Sequence, residues 1–195
     1  MILRLVFSLL FIVSNTEYTY SQSRSDTLIW SDNQQLEWSD FQGKMDTIIT
    51  TDANSTAKAA SSISFMYSET YFNEENWGWC YKIVAIFIPK DSWCLDKNDI
   101  LLQHEQLHFD IMELTIRKLR KRVYELDGIL SETRFQEIIN LAESEFNLQS
   151  DNYDKETLFG TDIKQQLFWE NKIARELKEL EKYKLSKFIC VSGKK

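Results

Sequence analysis

With 195 residues, 43% of them hydrophobic and 13% aromatic, the chain can bury the core of one ordinary globular domain and lacks a disordered composition. Thirty acidic residues against 23 basic ones give a net charge of −7, which argues against nucleic acid or an anionic membrane surface as a partner. Five glycines and one proline leave little material for a flexible interdomain linker.

The chain begins "MILRLVFSLLFIVS", one basic residue (Arg4) followed by an apolar run over residues 5–13 that only Ser8 interrupts. The run is too short to span a bilayer, and "TYS" ahead of Gln22 offers a small-residue cleavage site. This predicts a signal peptide over residues 1–21 and a single exported domain over residues 22–195, periplasmic or secreted, with no stable membrane insertion after cleavage. An uncleaved anchor is the alternative, and it would tether the same domain outside. Losing residues 1–21 removes Arg4 and Glu17 together, so the net charge does not change.

The next stretch reads as strands. "TLIWS" and "QLEWSDFQG" are short, aromatic and bounded by polar turns. Ile63, Phe65 and Tyr67 alternate with period two, and "CYKIVAIFI" (residues 80–88) is a continuous apolar run stopped by Pro89, the best candidate for a buried strand. Trp38, Phe41, Trp77, Trp79 and Trp93 are expected in the core. Three cysteines, Cys80, Cys94 and Cys190, leave at least one thiol unpaired within a chain. A disulfide between Cys80 and Cys94 would close a small loop, but the spacing alone does not fix the pairing.

The second half reads as about three helices. Apolar residues recur at helical spacing over residues 99–126, with Asn98 or Asp99 to cap the start and Gly128 to stop the helix. The basic run Arg117, Lys118, Arg120, Lys121 and Arg122 falls in its last turns, where cations complement the helix dipole and solvate a surface. Ser131 can cap a second helix running to about residue 148, with Phe135, Ile138, Ile139, Leu141 and Phe146 inward. "NYDKETLFG" is expected as a loop. A third helix over about 162–185 carries Ile163, Leu167, Ile173, Leu177 and Leu180 on one stripe. Strands followed by helices predict an α+β domain, an N-terminal mostly antiparallel sheet ahead of the helices.

The first of those helices holds both histidines of the chain, in "QHEQLHFD". His104 and His108 lie four apart, on one helical face, where two imidazoles can aim at one cation about 2 Å away. Glu105 follows the first and can exchange protons with a water molecule beside that cation. Random placement would put two histidines four apart in about 1% of such chains, and the adjoining glutamate is rarer still. The surrounding residues are apolar, so the turn is expected to be partly buried, where imidazoles need partners. A buried strand leading into this helix is the order of a zincin, whose strand can hold an extended peptide.

"LEWSDFQG", "SWCLDKNDILLQHEQLHFDIMELTIRKLRK" and "NYDKETLFGTDIKQQLFW" together resemble a largely uncharacterised family of secreted bacterial proteins, described as candidate zinc-dependent proteases. The likeness spans residues 28–169. It implies a zincin-like metallopeptidase that uses Zn2+ on peptide or protein substrates, with His104 and His108 as metal ligands and Glu105 as the catalytic carboxylate. Where this family carries Thr-x-His-Gly, the chain has Thr157, Leu158, Phe159 and Gly160. If that histidine acts in catalysis elsewhere, Phe159 marks its loss, and the alternative is a catalytically degenerate, secreted binding or structural module.

A catalytic zinc needs a third protein ligand. Asp110 and Glu113 point off the histidine face of the helix. The remaining candidates are Glu143, Glu145, Asp154 and Glu156, with Glu143 and Glu145 foremost by analogy with zincins that take a glutamate from the next helix. Tyr153 and Asp154 could instead serve as an oxyanion donor and a partner holding a ligand histidine.

Overall fold

The computed structural model describes residues 27–44, 59–61, 63–71, 78–126, 130–184 and 189–192, with side chains omitted for parts of three strands. The expected leader and Trp77 lie outside the described residues, as does the side chain of Trp79. The fold is α+β, with small antiparallel sheets and three helices.

The apolar run at residues 80–88 becomes β4 (Gly78–Phe87), the central strand. It pairs antiparallel with β1 (Leu28–Ile29) and β3 (Ile63–Tyr71), and its other end pairs with β6 (Ile189–Ser192), which the sequence did not announce. The β4–β6 register sets Cys80 opposite Cys190. Cys94 is free, so of the pairings the spacing leaves open, the one between Cys80 and Cys94 does not form. β2 (Ala59–Ala60) and β5 (Trp93–Cys94) form a separate two-stranded ladder. "QLEWSDFQG" is no strand: Trp38–Asp40 makes a 3-10 turn, which drops Phe41 into edge contact with Phe87.

α1 (Asp99–Tyr124) starts where the Asn98 side chain accepts from the Leu101 amide, as expected of a cap. Phe109, Met112, Ile116 and Leu119 pack on the sheet through Ile83, Ala85 and Phe87. Leu107, Ile111 and Leu114 pack the other way, on Tyr153, Trp169 and Ile173. Each of these fully buried aliphatic side chains contributes about 1.5–3 kcal/mol of transfer free energy, so α1 is the spine of the domain.

α2 (Glu132–Thr157) corrects the expected loop. The residues after Leu148 are polar and lack a helical apolar period, yet the helix continues because Tyr153 and Thr157 bury fully against its neighbours. Tertiary packing overrides weak local preference. Leu141, expected inward, is exposed. α3 (Ile163–Glu179) is capped by Asp162 and buries Gln166, Trp169 and Ile173, while Ile163 and Leu167 of the expected stripe are exposed. No helix among the described residues is long and apolar enough to cross a membrane.

The basic run is also corrected. Arg117 and Arg120 are buried, and of the basic run only Lys118, Lys121 and Arg122 reach solvent. Arg120 donates to the Ile83 carbonyl of β4, and Arg117 to the Leu177 carbonyl of α3, so their heads are anchored by partners distant in sequence.

Candidate metal centre

α1 and α2 run side by side, and their facing turns bring three side chains together. His104 and His108 stand one turn apart on α1 with their rings edge to face, and Asp154 reaches them from α2. The two imidazole Nε2 atoms are 3.3 Å apart. The Asp154 Oδ1 lies 3.1 Å from the first and 2.9 Å from the second. Donors about 2 Å from one tetrahedral ion must stand about 3.3 Å from each other, so the triangle has the dimensions of one face of a zinc site.

The outer edges of both rings are held. Gln166 donates through Nε2 to Glu170 at 3.0 Å, which turns its Oε1 toward the Tyr153 hydroxyl at 2.6 Å and His104 Nδ1 at 3.4 Å. An amide oxygen only accepts, so the hydrogen that answers it sits on His104 Nδ1, the tautomer that would leave the Nε2 lone pair for a metal ion. Ser150 holds His108 Nδ1 at 2.9 Å. Asp154 Oδ1 accepts from an Nε2 that carries a hydrogen, and an ion at the centre of the triangle would take the place of such hydrogens. Burial presses the His108 pKa down, but the Asp154 hydrogen bond and the charges of Glu105 and Asp154 outweigh it and leave that pKa above its ordinary value. Burial would raise Asp154, but the two imidazoles bonded to it hold its carboxyl well below the usual carboxylate range.

Gly160 explains how close the α2–α3 turn comes. Its φ is +79°, and a Cβ there would sit 2.9 Å from both Cβ and Cγ of His104, so only glycine fits. Tyr153, fully buried, stacks on the His104 ring at 4.5 Å. Its hydroxyl is bound to Gln166 behind the histidine, and burial pushes its pKa far above the ordinary value. Tyr153 therefore backs the His104 ring, with its hydroxyl turned to Gln166 and the His104 carbonyl.

Glu105 is buried, and the Ser61 hydroxyl donates to its Oε2. Together with His104, His108 and Asp154 it lines one cavity of about 930 Å3. The strand bordering that cavity is β2, through Ala59 and Ala60; β4 packs behind α1 in the core. The other third-ligand candidates lie elsewhere: of the two foremost, Glu145 forms a two-pronged ion pair with Arg122 and Glu143 is exposed, while Glu156 accepts from the Trp169 indole. Asp110 and Glu113 are off the site, as helix geometry required: they accept from Trp30 and from the two buried arginines. Phe159 lines the cavity mouth, outside the triangle.

Sequence reasoning missed Gln166 and Ser150. Phe146, Ser150 and Asp154 recur every fourth residue, a stripe visible only if α2 is drawn through to Thr157. The chain matches no family model, no curated protein and no solved structure.

Proposed function

We propose that this chain is an exported, zincin-like zinc hydrolase that cuts peptide bonds. The observation that carries the reading is the triangle of His104 Nε2, His108 Nε2 and Asp154 Oδ1, with Glu105 in the same cavity. These three atoms would hold the ion, Asp154 supplying the carboxylate ligand. When bound, zinc would supply Lewis acidity toward a carbonyl oxygen and lower the pKa of a water molecule.

The protein's own groups do the rest. Glu105 accepts the proton of the attacking water and delivers it to the leaving amine nitrogen. Ser61 occupies one carboxylate oxygen of Glu105 and so steers the other. Gln166 and Ser150 keep the two imidazoles aimed inward. A peptide is favoured as substrate by the family resemblance and by the β2 strand that borders the cavity.

Elemental analysis of purified protein should find one zinc per chain, removable by a chelator together with peptide-cleaving activity. Glu105→Gln should keep the metal and lose turnover by about a hundredfold to ten-thousandfold. Metal retained with no cleavage in the parent protein would favour the binding module. No metal at all would end both readings.

A further inference from the structure

The cavity has one wall built against local backbone preference. Leu158 and Phe159 follow α2 with φ of 49° and 55°, both left-handed, ahead of Gly160 at 79°. Side chains other than glycine meet a steric penalty there, and asparagine is the residue that tolerates it best. The turn is forced nonetheless: the Phe159 amide donates to the Asp154 carbonyl at 2.8 Å, the Asp162 amide to the Thr157 carbonyl at 2.8 Å, and the Thr161 hydroxyl to the Leu158 carbonyl at 2.7 Å. Burial does not offset the strain, since Leu158 is 61% and Phe159 57% exposed. Leu158 closes α2 as its left-handed cap, and Phe159 carries that conformation one residue further with its side chain in solvent.

Both side chains stand at the cavity that holds Glu105 and the ligand triangle, joined there by the exposed Ile100 and Ile163 and by the half-buried Phe146. The charged residues of the lining besides the histidines are Asp96, Glu105 and Asp154, all acidic. Such a surface favours an apolar, non-acidic segment.

We propose that Leu158 and Phe159, with Ile100 and Ile163, form the subsite for a bulky apolar side chain of a peptide, next to the bond presented to Glu105. Cleavage of the bound peptide rests on the hydrolase reading; the binding itself does not. The wall is held out by the same turn that Gly160 presses against His104, so the subsite and the metal centre share one short segment of chain.

The test is a titration of the metal-free protein, labelled at isoleucine and leucine methyl groups, where no turnover consumes the probe. Two blocked hexapeptides are compared, one with Leu-Phe at its centre and the other with Ser-Ser. The methyl signals of Ile100, Leu158 and Ile163 should respond to the first at about tenfold lower concentration or better, the usual worth of apolar side chains entering such a pocket. Phe159→Asn should collapse that preference to below about threefold, while its thermal midpoint stays or rises, because asparagine relieves the left-handed strain. Equal response to the two peptides, shifts confined to other parts of the molecule, or a preference surviving Phe159→Asn would overturn the subsite. A protein that takes up no zinc would sink the hydrolase and leave this titration fully readable.

Discussion

Helix α1 carries two buried polar clusters, and they obey opposite rules. In its second half Arg117 and Arg120 share Glu113, at 2.9 and 3.1 Å. Their remaining donors reach the carbonyls of Ile83, Leu177, Tyr183 and Lys184 and the carboxylate of Glu181. Donors there meet acceptors from β4, α3 and the turn after α3. In the first half, His104, His108 and Asp154 turn three metal-ligating atoms toward one another beside a cavity. A closed cluster ties elements together; one that opens on a cavity has room for a further group. Burial and charge alone do not tell them apart, but where the polar atoms face does.

The sharpest way to break this contrast is Arg117→Met. The change removes one of two counterions from buried Glu113 and the donor to the Leu177 carbonyl, while Arg120 still faces Glu113, and losing such hydrogen bonds to a charged group costs about 1.5–3 kcal/mol. Urea unfolding should show that loss, while zinc affinity in the folded protein stays as before. Parallel loss of zinc affinity would mean that the two clusters are one network. The pair is not simply stabilising: burial pushes Glu113 up and Arg120 down, in both cases against their mutual attraction.

Next in size is Gln166, which belongs to the open cluster without touching its centre. Gln166→Leu takes away the oxygen that faces His104 Nδ1 and the nearer of the two acceptors of the Tyr153 hydroxyl, and zinc affinity should fall by about 10–100-fold in a chelator competition. The paired exchange Gln166→Glu with Glu170→Gln keeps an acceptor toward His104 and reverses the outer bond, so it should restore most of the affinity. If leucine costs nothing, the tautomer of His104 is set by something other than α3.

These two clusters also mark what a sequence can disclose. His104, Glu105 and His108 are legible because their relation is local, fixed by the pitch of one helix. Asp154 was in view as a candidate, yet ranked behind Glu143 and Glu145, because the polar run from Gln149 to Thr157 gives no periodic sign that α2 continues. What extends it is the burial of Tyr153 and Thr157, a tertiary fact. Gln166 has neither charge nor motif to mark it. Arg117 and Arg120 carry the signature of a solvated last turn, and beyond the nearby Glu113 it is acceptors 37 to 64 residues away that draw them inward. The strand order shows the same division: the apolar content of β4 is plain in the sequence, but its pairing with the four-residue β6 is not.

The smallest effect is expected at the seam between the clusters. Asp110 accepts from the Trp30 indole at 2.8 Å and from Gln106 at 3.1 Å, and Gln106 in turn accepts from the Leu36 amide. Burial raises the Asp110 pKa above its ordinary 3.8; the bonds from Trp30 and Gln106 oppose that rise without cancelling it. A carboxyl whose pKa is raised by folding contributes stability that is full below the unfolded value and lost as pH climbs through the folded one. Asp110→Asn offers an uncharged oxygen to the same two donors, so at neutral pH it should be at least as stable as the parent. That advantage should close as pH falls below 3.8, where the parent is protonated too. Thermal unfolding at both ends of this range reads the difference. A loss at neutral pH as large as that of Arg117→Met would instead assign Asp110 to the closed cluster, its charge answered by Arg117, and would move the boundary between the two halves of α1 one turn toward the histidines.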